Sequence, residues 1–219
     1  KRNDSLRVPM FPLGLVLLPR MPLPLHVFEE RYRQMMDLCI ADDAPFGVLL
    51  HTGTTVQTVG CLAHVDSVIN EYDDGRMDIL AMGTDRFSVS KMYDEKAFLE
   101  AEIEIFHDQP IGPESTERIE KLAHTAVDDL QEFARVAGYS LDQTMLEQLS
   151  TEELSFLLAT TDVFSTEEKQ QLLEMRSTPD RMERATRAIG DSKDRLTMAH
   201  RIREILGKEN DEDISHLFN

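Results

Sequence analysis

Glycine, cysteine and basic residues are all scarce in this chain, and each shortage closes off a class of function. The ten glycines are scattered, and no two are spaced as G-x-G. A phosphate-binding loop needs clustered glycines at a helix start so that backbone N–H groups can approach oxygen. Gly207-Lys208 lacks both the upstream glycine and the following Ser or Thr of such a loop. Phosphate-loop and dinucleotide-binding functions are therefore excluded. Two cysteines, Cys39 and Cys61, cannot build a disulfide framework. Cys39 falls on the apolar face of a predicted helix, as a reduced core thiol of a cytoplasmic protein would. The 23 Lys and Arg face 41 Asp and Glu, a net charge of −18. The excess is spread along the chain, −8 through residue 110 and −10 after it. A field of that sign repels phosphate backbones and anionic lipid, so neither nucleic acid nor membrane is an expected partner.

Long uninterrupted apolar runs are also missing. The nearest is Val8 to Arg33, where Pro9, Pro12, Pro19, Pro22, Pro24 and Arg20 break the pattern. Proline lacks an N–H and fixes φ, which confines these positions to strand edges, strand ends and turns. The run is neither a membrane span nor a signal peptide. The chain begins with Lys1, not Met, which points to a segment missing upstream.

What is present reads as two unlike halves. Residues 6–18 are expected to form a first strand. A helix follows from Val27 or Phe28, burying Phe28, Tyr32, Met35, Met36, Cys39 and Ile40 along one stripe. Glu29 and Arg33 would pair at i,i+4 on it, and Asp42, Asp43 and Pro45 end it. Short strands come next: Phe46 to Leu50, Val59 to Ile69, and Met77 to Ala81 after the Asp74-Gly75 turn, continuing through Phe87 to Val89. Leu99 to Ile105 alternates apolar with glutamate, the period of a half-buried strand. Past the punctuation of Asp108 to Pro113 the pattern turns helical, beginning with Ile119 to Ala134. Ser150-x-x-Glu153 and Ser165-x-x-Glu168 are capping boxes, Thr178-Pro179 opens another helix with Gly190 closing it, and a last helix stops at Gly207. The expected domains are a β-rich part, residues 1–110, and an α-helical bundle, residues 111–219.

Catalytic constellations are hard to find. Gly138-Tyr139-Ser140-Leu141-Asp142 approaches a nucleophile elbow but carries Asp for the second glycine, and Ser140 reads better as a helix cap. Cys61-x-x-His64 has ligand-like spacing, yet i and i+3 on a strand face opposite ways. The seven histidines form neither H-x-x-x-H nor H-E-x-x-H. Glu71, Asp73, Asp74 and Asp78 surround a hairpin turn and read as a solvated turn in preference to a Ca²⁺ site. The eleven methionines read chiefly as core filling. No cofactor and no metal are expected.

Several motifs in order carry a resemblance. Pro9-Met10-Phe11-Pro12-Leu13, Val16-Leu17-Leu18-Pro19, and Leu23-Pro24-Leu25-His26-Val27-Phe28-Glu29-x-Arg31-Tyr32 resemble the opening of the Lon N-terminal (substrate-binding) domain family. Phe46-Gly47-Val48-Leu49, Asp74-Gly75-Arg76-Met77-Asp78-Ile79 and Gly83-x-x-Arg86-Phe87 resemble its later strands, and Leu157-Leu158-Ala159, Glu167 to Glu174 and Pro179-x-Arg181-Met182 its helical segment. Arg20 departs from the glycine the family usually has after Leu-Pro, so the turn there is costlier. The resemblance implies an α+β fold: a PUA-like six-stranded pseudobarrel with an inserted helix, followed by a helical bundle. The family's ATPase and Ser-Lys protease domains are absent, so its proteolytic chemistry does not transfer.

The leading expectation is a non-catalytic binding module for peptides, unfolded protein or a protein partner such as a protease. Its groove would lie between the proline-broken first strand and the first helix. Leu23 and Leu25 would be the apolar contacts, and Glu30, Arg31 and Arg33 the polar rim. An adaptor that docks on a protease or forms a homo-oligomer is compatible with this reading. A hydrolase on the same scaffold is the alternative, and RNA binding by analogy to PUA folds conflicts with the charge.

Overall fold

The proline-rich opening folds as two separate strands joined by a loop. The computed structural model describes the backbone of residues 6–215 and the side chains of residues 6–112, 115–199, 201 and 202. β1 (Leu6–Leu13) stops before Gly14, and β2 (Pro22–Val27) begins only after the next turn. The first strand is thus shorter than expected, and β2 was not anticipated. Leu17 and Leu18, which read as strand, are buried in the connecting loop. Arg20 takes φ +65° there, and its N–H donates to the Gly83 carbonyl at 2.9 Å. That is the left-handed turn glycine would enter without a Cβ penalty.

α1 (Glu30–Ala41) starts later than expected, because Val27 is still paired with Met77 in the sheet. Phe28 therefore lies outside the helix, 60% exposed, and Ile40 is also exposed, while Tyr32, Met35, Met36 and Cys39 form the buried stripe. After α1 come β3 (Phe46–His51), β4 (Val56–Glu71), β5 (Met77–Tyr93) and β6 (Glu100–Phe106). The turn between β4 and β5 is the expected one, with Gly75 at φ +80°. The sheet order is β2-β5-β4-β3-β1-β6, and a further β5–β6 pairing closes it. This is the six-stranded α+β architecture expected from the motifs, with α1 inserted between β2 and β3.

Two strands change partners along their length, which is what allows the closure. β5 pairs through Met77–Met82 with β2 and through Arg86–Tyr93 with β6. β1 pairs antiparallel with β6 over Leu6–Pro9 and parallel with β3 over Met10–Leu13. Val8, Met10, Leu49, Leu62, Phe87, Ala101 and Ile103 fill the interior. A Cβ on Gly60 would stand 2.2 Å from the Val48 carbonyl oxygen, so strands β3 and β4 approach closer there than any side chain permits. Along β6 the expected alternation holds at Ala101 and Ile103 but inverts at its ends: Glu100 is buried against Arg7 and Lys96, and Ile105 is exposed.

The helices are α2 (Pro113–Val136), α3 (Gln143–Glu147), α4 (Thr151–Ala159), α5 (Thr166–Glu174) and α6 (Thr178–Ser215). Both capping boxes form as read, at Ser150 with Glu153 and Ser165 with Glu168. Asp142, not Ser140, caps α3, accepting from the N–H groups of Thr144 and Met145. Gly190 and Gly207 do not end helices; α6 runs through both.

The chain divides into two compact units, one reaching Pro110 and including Phe164–Thr178, the other Ile111–Val163 with Pro179 onward. The segment carrying α5, which the sequence pattern places with the later helices, thus joins the β-rich unit. In that unit Arg86 is buried and ion-paired with Asp108. Its guanidinium also donates to the carbonyls of Leu173 and Met175, at 3.0 and 2.5 Å, and the Thr178 hydroxyl donates to Asp108. Gln170 of α5 donates to the Val59 carbonyl at 3.0 Å. In the helical unit, Arg181 is fully buried, donating to Ser155 Oγ at 2.8 Å with its guanidinium 3.8 Å above the Phe156 ring.

Two stability outcomes follow. Arg86→Ala removes the buried cation paired with Asp108 and should lower the unfolding free energy by about 3–5 kcal/mol in denaturant titration. Arg20→Gly removes the left-handed Cβ penalty and should raise it by about 1 kcal/mol; an unchanged or lowered midpoint would show that the turn carries no strain.

Candidate functional site

A cleft of about 660 Å³ opens in the β-rich unit where β1 and β2 diverge. Its walls are Phe11–Leu13 of β1, Leu25–Val27 of β2 with the following Phe28 and Glu29, the first turn of α1, and the loop from Asp94 to Leu99 that precedes β6. The floor is aromatic. The rings of Phe11 and Tyr32 lie 4.2 Å apart, and Phe98 is buried beside the cleft. Phe28 stands at the rim as its most exposed large apolar side chain, its ring stacked at 5.9 Å on the His26 imidazole.

The sequence-predicted site residues divide. Leu25, half-buried, and Arg31, exposed, line the cleft. Leu23 is 4% exposed and belongs to the core. Glu30 is exposed but is not part of the cleft wall. Arg33 turns to the β4–β5 hairpin, where Nη1 donates to the Asp74 carbonyl at 2.5 Å. The expected Glu29–Arg33 pair does not form, because Glu29 is the N-cap; its carboxylate binds Arg31 at 2.7 Å instead. Sequence reasoning assigned Phe28 to a buried stripe and passed over Phe98. The adjoining Leu-Pro-Leu alternation is the signal that could have marked Phe28 as continuing a strand.

Beside the cleft, Asp78 gathers three donors. His26 Nδ1 lies 2.6 Å from one carboxylate oxygen, while the Tyr72 hydroxyl and Asn70 amide donate to the other at 2.7 and 3.2 Å. These bonds, His26 first, hold the Asp78 carboxyl down to about 2. An ionised carboxylate only accepts, so Nδ1 carries the proton in this contact. Two of the four hairpin acids are engaged with neighbours, Asp74 with Arg76 at 2.8 Å and Asp78 with His26. Burial pushes the thiols of Cys39 and Cys61 up to about 11 and about 12, leaving both protonated and inert. Among the described residues no three His, Cys, Asp or Glu are grouped to hold a metal ion, and no helix is long and apolar enough to cross a membrane.

The chain matches, over residues 7–191, the family described as the ATP-dependent protease La (LON) substrate-binding domain. It is 25% identical to Lon protease 2 of Herpetosiphon aurantiacus, over 98% of this chain and 27% of that protein. It is 22% identical to the Lon protease of Buchnera aphidicola, over 95% of this chain and 28% of that protein. The chain therefore spans about a quarter of the length of these relatives. Two solved structures share its fold. A Lon N-terminal domain protein from Xanthomonas campestris aligns with TM-score 0.62 and 24% identity, covering 82% of this chain and 96% of that one. The N-terminal domain of a Mycobacterium avium complex Lon protease aligns with TM-score 0.67 and 16% identity, covering 84% and 98%.

The Asp78 cluster yields a titration test. A carboxyl depressed in the folded state stabilises it above the ordinary value of 3.8 and loses that contribution as the pH falls toward about 2. In His26→Ala the Asp78 midpoint, followed by carboxyl NMR, should rise toward 3.8. An unmoved midpoint would remove His26 as the principal cause.

Proposed function

Because the chain belongs to the ATP-dependent protease La (LON) substrate-binding domain family, we propose that it is a non-catalytic recognition module holding segments of unfolded polypeptide in the cleft between β1 and β2. The observation that carries this reading is the aromatic floor of Phe11, Tyr32 and Phe98 with an exposed Phe28 at its mouth. Phe28 carries the apolar lining out to the mouth, so an occupant of the cleft would cover it. The volume suits one or two bulky side chains, within the usual range for ligand clefts. Catalysis is not part of the proposal. The nearby His–Asp pair has an evident structural task, linking β2 to β5, and both cysteines are sealed in the core.

Phe28→Ala tests the assignment without disturbing the interior. Titration of the chain with a fluorescently labelled unfolded protein should show about tenfold weaker binding for the variant, the loss expected when one large side chain no longer covers its partner. Its unfolding midpoint should stay within error of the parent. Equal affinity in parent and variant would move the binding surface elsewhere.

A further inference from the structure

We propose, resting on the cleft reading above, that the cleft selects its occupant by side chain and leaves the occupant's backbone unpaired. The occupant is an unfolded segment bearing a large apolar residue next to basic ones. The alternative for an extended peptide beside an open sheet edge is strand addition, which needs N–H and C=O groups presented together at every second residue. Both strand stretches that border this cleft are nearly stripped of donors.

β2 pairs with β5 alone, so its other edge is open. Proline has no N–H to give the ladder, and neighbouring residues point their backbone groups to opposite sides. Pro22 and Pro24 therefore place Leu23, Leu25 and Val27 on the β5 side, and the open edge displays Pro22, Pro24 and His26. On β1, the Met10 N–H donates to the Leu99 carbonyl at 2.8 Å, away from β3. By the same alternation Pro12 faces that way too, bordering the cleft. Of these four edge positions three are proline and only His26 offers an N–H; Pro12 and His26 line the cleft itself, and Pro24 and Pro22 carry the open edge of β2 on beyond it. Such edges resist strand addition. What remains available for recognition is side-chain surface, the exposed Phe28 and the half-buried Leu13 and Leu25 above the buried aromatic floor.

The charge of the occupant follows from which rim groups are already satisfied. Arg31 is closed on Glu29 at 2.7 Å and Lys96 on Glu100 at 2.9 Å. Asp94 is exposed at the rim and has no bonding partner among the described residues. With a chain charge of −18 behind it, the cleft complements Lys or Arg beside the apolar anchor.

The test uses the full chain and short fluorescent peptides with one phenylalanine flanked by lysines. N-methylation of the amides on either side of the phenylalanine should change Kd by less than about twofold, since no backbone donor is used. Phenylalanine to serine should weaken binding about tenfold or more. Lysine to glutamate should also weaken it, with the difference shrinking at high salt. Loss of binding on N-methylation, with the serine peptide still bound, would overturn side-chain selection and assign strand addition at His26, leaving the cleft as the site. Equal affinity of the lysine and glutamate peptides would overturn the charge assignment. No binding by any peptide, or binding unaffected by Phe28→Ala, would overturn the cleft reading and this proposal with it.

Discussion

The buried ion pair between Arg86 and Asp108 is the constraint around which the β-rich unit is built. Arg86 sits where β5 exchanges one neighbour for another, after the stretch paired with β2 and at the start of the stretch paired with β6. Asp108 lies just beyond the end of β6. Together they pin the point at which the sheet closes on itself. The same guanidinium donates to the carbonyls of Leu173 and Met175, at the end of α5. α5 has no basic residue in its own last turn. Its terminal carbonyls and the negative end of its dipole are met by a cation supplied from the barrel. An arginine suits this post because its planar fork can serve a carboxylate and two carbonyls at once.

The cleft is a by-product of that closure. With the latter half of β5 committed to β6, β2 can pair only with the first half, and its outer edge has no strand to meet. β1, leaving β6 after Pro9 to follow β3, opens the opposite wall. The gap between them is therefore set by topology. Its floor is then furnished by whichever large side chains the diverging strands and the first turn of α1 project there.

Local signals made several helix starts and the β4–β5 turn legible, and tertiary competition hid much of the rest. The two capping boxes and the Asp74-Gly75 turn were readable because each is satisfied within a few residues of itself. The beginning of α1 was not, because Val27 and Phe28 fit a helical stripe equally well until β5 claims Val27. Gly190 looked like a terminator because local propensity ends helices at glycine. In α6 a Cβ there would stand 3.5 Å from the Asp129 carboxylate, and the helix continues past it. Leu25 and Arg31 line the cleft while Leu23, Glu30 and Arg33 do not, for one reason. Adjacent side chains on a strand or helix point different ways, and only the register with β5 and the position of the hairpin decide which of them meets the cleft. Arg20 was legible as an irregularity, since a left-handed turn without glycine is costly wherever it occurs.

The prolines of the opening segment have a double consequence that composition alone could not reveal. Each is placed where its missing N–H costs the sheet nothing, which is why the segment still makes two ordered strands. At Pro12, in the cleft wall, and at Pro24 and Pro22, on the open edge of β2 that continues from it, that placement leaves the bordering strands short of donors. An edge strand with its donors intact would invite any extended chain, including another copy of this one, to add to the sheet. Proline at alternate positions removes that indiscriminate backbone attraction and leaves the apolar lining as the discriminating surface. In the reading proposed above, suppressing backbone pairing at the mouth of the cleft would keep the capture of an unfolded chain reversible.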